Sequence, residues 1–512
     1  MFGNGFMNAK GNLINGEWKP AADGAVLPVD DPATGERLTE IPASGERDVN
    51  DAVARARQSF ASGVWSQVSP GDRSRVLWRL AGLIRERAAE LAYVETRDSG
   101  KPIAESHEDI AGVADITEYF AGAATKLVGQ SLPLPGGQMG IVLREPAGVV
   151  GAITPWNFPM YLAAWKAIPA LACGNSVVLK PSSLATLSSL ALGELALAAG
   201  VPAGVFNVIC GTGAVAGEAL AAHRDIDVLV FTGSTEVGRS VMAARAHSVR
   251  PIQVELGGKS PNVVFADADF EKAVAGAAFG IFYAQGENCN AGSRILVEQS
   301  IHDRFLDSLV AFTERIRVLP PTDERSQLGS LISSGQLERV SRYVDIGRAE
   351  GVRVVTGGYR LMDPPFDRGN FYAPTILADV TSDHRVFQEE IFGPVVTVTP
   401  FRDEEDAIRL ANATEFGLAA GVWTANVERA MRCARRLDSG YVWINTFNTT
   451  PVEAPFGGVK SSGFGRDCGM QAIDNYTTWK TVAVALEPFS DWYASEAEGQ
   501  QMRPVLAGST EG

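Results

Sequence analysis

Cys289 stands in the stretch GENCNAGSR, residues 286–294, between Asn288 and Asn290, with Gly286 and Gly292 loosening the backbone. The run before it, AVAGAAFGIFYAQ, reads as a buried helix ending near Gln285. Free cysteine is usually a small core residue. Only its pKa and exposure make a thiol reactive, so a nucleophilic reading of Cys289 rests on what the rest of the chain supplies.

Five other places offer chemistry. In PWNFP, Asn157 lies between two prolines. Its amide can donate a hydrogen bond to a developing oxyanion, or it can simply form a turn. Lys180 leaves the apolar run NSVVLK, where an ammonium can reach a ribose or phosphate, or point into solvent. In FTGSTEVG, Gly233, Ser234 and Gly238 open a helix whose free N–H groups suit a pyrophosphate. GTGAVAG at 211–217 also resembles a dinucleotide turn, though a lone glycine-rich match is weak. Glu255, in ELGGKSP, stands 34 positions before Cys289. Beside a thiol, its carboxylate can serve as the base for water attack on a thioester; alone, it would read as a surface glutamate.

The elements that must position these residues follow from texture. AGVVGAITP, NSVVLKP, VFNVICG, DVLVFTGS and IQVELGG are short apolar runs bounded by Gly or Pro, with helical stretches between. This alternation predicts a parallel sheet with helices on both faces, and ligands collect at the carboxyl ends of such strands. After 258 a second set follows: NVVFADAD, RILVEQS, a helix over 301–316, VRVVTGG, APTILADV and PVVTVTPF. Before the first set, turns and short strands occupy 15–45. Helices follow at about 47–63, Pro70 to Ser99 and 105–128. Residues 129–146 read as a loop and an isolated strand or hairpin with a distant partner. TTWKTVAVALEP reads as a late strand, and the polar stretch from 489 as a mobile tail containing Trp492 and Tyr493.

At 512 residues the chain is too long for one core, and the length prior is about three domains. A net charge of −15 argues against nucleic acid or an anionic membrane as the main partner. The five cysteines are scattered without a CxxC pair, which fits a reducing compartment. The five histidines form no ligand cluster, so no metal is expected. The N-terminal stretch lacks a secretory pattern and no run of about 18 apolar residues suggests a span, so a cytoplasmic location is expected.

Seven stretches, in order, resemble the aldehyde dehydrogenase superfamily: PWNFP, KPSS, FTGSTEVG, VELGGKSP, QGENCNAGSR, EEIFGPV and PFGGVKSSGFGR. The resemblance runs from NGEW at 15 to about 487. It points to NAD(P)-dependent members that do not acylate coenzyme A, of broad-specificity or aminoaldehyde type. The implied fold is α/β, with two doubly wound Rossmann-like parallel-sheet domains plus a small β oligomerisation element. The implied dinucleotide domain covers 1–128 and 147–257, and the catalytic domain 258–457. The oligomerisation element covers 129–146 and 470–488, and a homodimer or homotetramer is implied.

By similarity, the Cys289 thiolate attacks the aldehyde to form a thiohemiacetal. Asn157 and the Cys289 backbone N–H hold the oxyanion, and Glu255 activates the water that hydrolyses the thioester. Cofactor contacts are implied at Thr154, Pro155, Trp156, Lys180, Ser182, Ser183, Gly213, Gly217, Phe231, Gly233, Ser234, Val237, Gly238, Leu256, Gly257, Glu390 and Phe392. Many NAD-preferring members carry glutamate where this chain has Ser183. A serine would not repel a ribose phosphate, so the cofactor is NAD or NADP, with NADP tolerated. The tunnel walls implied are Phe158, Trp165, Tyr283, Asn288, Asn290 and Phe456, with Glu453 at the mouth. Such walls favour apolar, aromatic or cationic aldehydes. Trp165 stands where takers of carboxylate-bearing semialdehydes often have arginine, which counts against succinic semialdehyde.

Three other functions compete. A coenzyme A-acylating enzyme tends to lack the glutamate base, a structural protein on this fold would not need Cys289, Glu255 and Asn157, and a thiol hydrolase would want a histidine near Cys289.

Overall fold

The computed structural model describes residues 5–8, 10–135 and 137–486; the expected tail from 489, with Trp492 and Tyr493, lies outside them. The chain divides into two compact units, one holding both large sheets and the other a small sheet.

In the first unit, an eight-stranded sheet has five parallel strands at its centre, in the order Ile252–Glu255, Val228–Thr232, Val149–Ile153, Ser176–Lys180 and Phe206–Val208. Most of their residues are buried and many are β-branched, as strands covered on both faces require. The chain steps outward from Val149–Ile153 through two strands on one side, then returns to build the other side. That reversal makes a topological switch point between Val149–Ile153 and Val228–Thr232, where a crevice opens beyond the carboxyl ends. Antiparallel edges come from Asn12–Ile14 and Glu17–Lys19 at one side and from Gly463–Phe464 at the other.

The second sheet has seven strands, all between residues 353 and 444 apart from Pro261–Val264 and Arg294–Glu298. It is parallel except for the edge strand Arg353–Thr356. Two of its strands, Ala419–Trp423 and Tyr441–Ile444, went unread in the sequence: both are short, and AAGVW lacks the β-branched run that marked the others. Both large sheets share one compact unit.

Four helix boundaries differ from expectation. The helix read over 105–128 spans Ile103–Ala123 and passes into a 3-10 turn, Ala124–Lys126. The helix read from Pro70 to Ser99 is two, Pro70–Glu86 and Ala88–Ser99, broken at Arg87, which has φ −105° and ψ 11°. No Gly or Pro marks that break; the Arg87 guanidinium sits over the Phe6 ring, 4.5 Å from its centroid. The helix before Cys289 ends at Phe282, because Ala284 and Gln285 take left-handed backbone angles. The helix read over 301–316 spans His302–Thr313.

The small sheet joins Thr477–Ala485 to the hairpin Gln130–Leu134 and Gln138–Pro146. Residues 470–475, expected with it, instead form a 3-10 turn in the first unit. There the Tyr476 carbonyl accepts from Ala147 N–H and Asn175 Nδ2 and fixes the chain to the first sheet.

Candidate active site

The crevice is built from the residues that follow the first sheet's strands. In chain order the five parallel strands run from Val149–Ile153, the first, to Ile252–Glu255, the fifth. A cavity of about 390 Å³ is lined by Pro155, Trp156 and Asn157 after the first, by Thr232, Gly233 and Ser234 at and beyond the end of the fourth, Val228–Thr232, and by Glu255, Leu256 and Gly257 at the end of the fifth. Across it stand Glu390 and Phe392, and at its floor Cys289. A second cavity, about 140 Å³, meets it at three shared residues, Leu162, Glu255 and Cys289. Thiol and carboxyl thus stand in the wall between two chambers.

The loop carrying Cys289 is held in an unusual shape. Ala284, Gln285 and Gly286 have φ of 50°, 54° and 70°, three left-handed residues in a row. At Gly286 only glycine fits, since a Cβ would lie 2.1 Å from the Gly393 carbonyl oxygen. Asn157 Nδ2 donates to the Glu287 carbonyl at 2.9 Å, tying the loop to the first strand's end and leaving the second N–H of the amide available. The Asn290 N–H donates to Asn288 Oδ1.

Buried carboxyl groups surround the thiol. Burial pushes the Glu255 carboxyl up to about 8; Lys166 opposes this, and Asp467 and Glu390 add to it. Neither Glu255 oxygen has a hydrogen-bond partner of ordinary geometry, although the Cys289 thiol is close enough to interact with it. Lys166 itself is fully buried in an ion pair with Asp467 at 2.6 Å. Cys289 reaches both cavities, yet its sulfur lies deep, and burial followed by the charges of Glu255 and Glu390 drives its pKa well upward. Burial also raises Glu390 to about 7, against the Gly258 N–H, Arg339 and Lys259.

Of the cofactor residues read from the sequence, Pro155, Trp156, Gly233, Ser234, Leu256, Gly257, Glu390 and Phe392 line the first cavity. The others sit at or near the carboxyl ends of the sheet's parallel strands without lining it. Thr154 donates its N–H to the Lys180 carbonyl. Lys180 is buried, and burial lowers its ammonium to about 8. Ser182 and Ser183 follow it, half-buried. Gly213 and Gly217 bound a π-helical turn, with Gly217 beside the Lys180 stem. Phe231 packs under Gly233, and Gly238 admits Leu256, where a Cβ would come within 2.4 Å. Val237 is exposed in the first turn of the helix Thr235–Arg245, and the Ser234 side chain caps that helix by accepting from Val237 N–H.

These groups fit a dinucleotide. An uncovered helix start, a buried Thr232 hydroxyl without a partner and glycines at 233 and 257 with no room for a Cβ all face or flank the crevice. Sequence reasoning missed Gln336, Arg339 and Tyr343, which line the cavity from the helix Ser334–Ala349. Arg339 donates to the Glu390 carbonyl and Gln336 to that of Phe392, whose own φ is 64°.

The second cavity gathers Phe158, Trp165, Tyr283, Asn288, Asn290 and Phe456, as read from the sequence. It adds Glu108, Asp109, Tyr161, Phe279, Asn448 and Thr450, which carried no local motif. Phe158 stacks on Tyr283 at 6.3 Å, and Trp165 meets Tyr161 and Phe456 edge-on. Lys101 pairs with Asp109 and lies 3.8 Å from the centre of the Phe158 ring. Glu453 lines a further, outer cavity of about 480 Å³, which shares Tyr161 and Thr450 with the second.

A model of the aldehyde dehydrogenase family matches residues 18–482. The betaine aldehyde dehydrogenase of Bacillus subtilis (strain 168) is 43% identical over 486 residues, covering 94% of this chain and 99% of that one. The chain belongs to the aldehyde dehydrogenase family. It is an NAD(P)-dependent oxidoreductase acting on the aldehyde group. Among solved structures, a point mutant of Staphylococcus aureus betaine aldehyde dehydrogenase in complex with NAD+ superposes with a TM-score of 0.93 at 37% identity, covering 94% of this chain and 98% of that one. A mutant of the P. syringae indole-3-acetaldehyde dehydrogenase, in complex with NAD+ and IAA, gives 0.91 at 43%, covering 93% and 96%.

Proposed function

We propose that this aldehyde dehydrogenase oxidises an aldehyde with an aromatic or cationic tail to its carboxylic acid, with Cys289 as nucleophile and Glu255 as base. The observation that carries this is the position of both residues in the wall between a dinucleotide-shaped crevice and an aromatic chamber. The sulfur, as the thiolate once its proton has passed to solvent water, adds to the carbonyl carbon. The free N–H of Asn157 Nδ2 and the Cys289 backbone N–H take up the charge on oxygen. Bound NAD(P)+ supplies the hydride acceptor that turns the captured aldehyde into a thioester. Glu255 then removes a proton from water as the water oxygen adds to the thioester carbon; the carbon–sulfur bond breaks, the acid leaves, and Cys289 is freed as the thiolate. A base at Glu255 favours release to water over transfer to coenzyme A.

The first cavity would hold the cofactor. The helix start at Ser234 takes the pyrophosphate, Lys180 and the Ser182–Ser183 segment the adenosine side, and Glu390 and Phe392 the nicotinamide side. The first sheet, with 1–128 and 147–257, serves as the dinucleotide domain, and the second, within 258–457, as the catalytic domain. Ser183 leaves room for a ribose phosphate, so NADP is tolerated. If NAD supports turnover and NADP does not, that reading fails.

The tail selectivity rests on the second chamber. Six aromatic side chains line it, and Glu108 lines it without an ion-pair partner among the described residues. Burial, then the carboxyl groups of Asp109, Glu105 and Glu108, drive the Tyr283 phenol up. Aromatic faces and a carboxylate suit a cation, and the similar enzymes include one named for a betaine aldehyde and one for an indole aldehyde. Glu453 serves the outer vestibule rather than the inner tunnel. Initial rates on about twenty aldehydes, each with NAD and with NADP, test the whole reading; short neutral aldehydes far ahead of cationic and aromatic ones would overturn the tail selectivity.

The small sheet exposes Leu132, Leu143, Trp479 and Val482, an apolar surface suited to a second copy of the chain, so a homodimer or homotetramer is expected. Light scattering that returns the monomer mass would reject it. All five cysteines are free, which suits a reducing, cytoplasmic setting. Among the described residues, no helix is long and apolar enough to cross a membrane.

A further inference from the structure

We infer that Glu105 is a positioning residue for the nucleophile loop: its carboxyl holds Ala284 in the left-handed turn that aims Cys289. The inference rests on Cys289 being the nucleophile. Glu105 lies in the first turn of the helix Ile103–Ala123, where a carboxylate would ordinarily complement the helix dipole in solvent. Here it points inward instead. Its Oε2 accepts from Ala284 N–H at 3.0 Å, 179 residues along the chain.

Ala284 is the first of the three left-handed residues. Two of those three, Ala284 and Gln285, are not glycine, and such angles persist only where the surroundings over-determine them. Glu105 supplies one restraint. Asn157 Nδ2, which donates to the Glu287 carbonyl, Gln285 Oε1, which accepts from Gly329 N–H, and Glu287 Oε1, which accepts from Ile332 N–H, supply others farther along the loop. Of these side chains, Glu105 alone bonds Ala284 itself, and it comes from a helix that also carries the tunnel residues Glu108 and Asp109. The same helix thus fixes both the chamber wall and the loop that presents the thiol.

Burial raises the Glu105 carboxyl to about 8, with Lys101 opposing and Asp109 adding, so near neutral pH it is a neutral acid accepting through oxygen. An amide of the same length can take over that role. A leucine cannot accept, and an aspartate is one methylene too short.

The test compares Glu105→Gln, Glu105→Leu and the double variant Glu105→Leu/Ala284→Gly. The readouts are kcat, the KM for NAD+, and deuterium uptake over residues 283–289. Glu105→Gln is expected to stay within about twofold of the parent in kcat. Glu105→Leu should lose about 10²-fold in kcat, the order of loss that follows from misplacing a reacting group by an ångström. It should also gain deuterium over 283–289 and leave the KM for NAD+ unchanged. Glycine reaches left-handed angles without help, so the double variant should regain at least about tenfold of the lost kcat.

Glu105→Leu within about threefold of the parent, Glu105→Gln falling as far as Glu105→Leu, or no recovery in the double variant would each overturn the assignment. If Glu105→Leu does not fold, Glu105→Asp replaces it with the same expectations. A parent enzyme inactive on every aldehyde would sink the dehydrogenase reading instead, and deuterium uptake would still report the Glu105 contact.

Discussion

Replacing Glu255 by glutamine separates capture of the aldehyde from release of the acid. The carboxyl closes the buried strand Ile252–Glu255, and burial raises it to about 8 even with Lys166 nearby. Water activation needs the carboxylate, so hydrolysis gains as the group loses its proton. A pKa near 8 leaves about a tenth of the molecules in the base form at pH 7 and about nine-tenths at pH 9. Where hydrolysis limits turnover, kcat should therefore climb roughly tenfold across that interval and level off above it. Glu255→Gln keeps the shape and removes the titration. Its steady-state rate should fall by about 10²–10⁴, the usual worth of a positioned base, and the rising limb should flatten. The first turnover should survive as a burst of about one NADH per site, because the thioester forms and then waits. Stopped-flow absorbance of NADH between pH 6 and 10, on parent and variant, reads all three effects. A variant within about tenfold of the parent, or a limb that persists with the same midpoint, would refute the role given to Glu255.

Other consequences can be checked separately. Ser183→Glu should raise the KM for NADP by at least about tenfold while changing that for NAD little, since it sets a carboxylate against a phosphate; equal effects on both cofactors would contradict the ribose-side placement. Glu108→Gln should raise the KM for a trimethylammonium aldehyde by about five- to tenfold, near 1 kcal/mol of cation binding, and spare an uncharged aromatic one. Thermal stability should fall between pH 6 and 9. Burial holds Asp98 and Glu105 at about 8, so the folded chain binds more protons there than the unfolded chain does. Their contribution is complete below the ordinary carboxylate range and is lost as pH rises through about 8. A melting temperature that climbs over that interval would reverse the sign. Lys166→Met should destabilise the fold by about 3–5 kcal/mol by leaving Asp467 buried without its cation, read by denaturant titration.

What the sequence made legible was local. Strand ends bounded by Gly and Pro announce themselves, because a chain that must turn sharply or bring its backbone close needs those residues. Gly233, Gly257 and Gly286 all sit where a Cβ would collide. The parallel strands were readable from their β-branched runs, and the crevice from their order. The parts that stayed hidden depend on side chains that cross the fold. Glu105, Glu108 and Asp109 lie on a helix whose pattern looks like that of any amphipathic surface helix, and only tertiary packing turns them toward the loop and the chamber. Gln336 and Arg339 hold two carbonyls of EEIFGPV from more than fifty residues away. The left-handed pair Ala284 and Gln285 was invisible because neither residue type favours that geometry, so the helix was read three residues too long. The break at Arg87 has no breaker residue at all.

The account stands on a carbon–sulfur bond at Cys289, and intact mass measurement of Glu255→Gln after one turnover with aldehyde and NAD+ looks for it directly. The protein should gain the mass of the acyl group, and peptide mapping should place that gain on Cys289. No added mass in a variant that shows the NADH burst, or a gain on any other residue, would contradict the account.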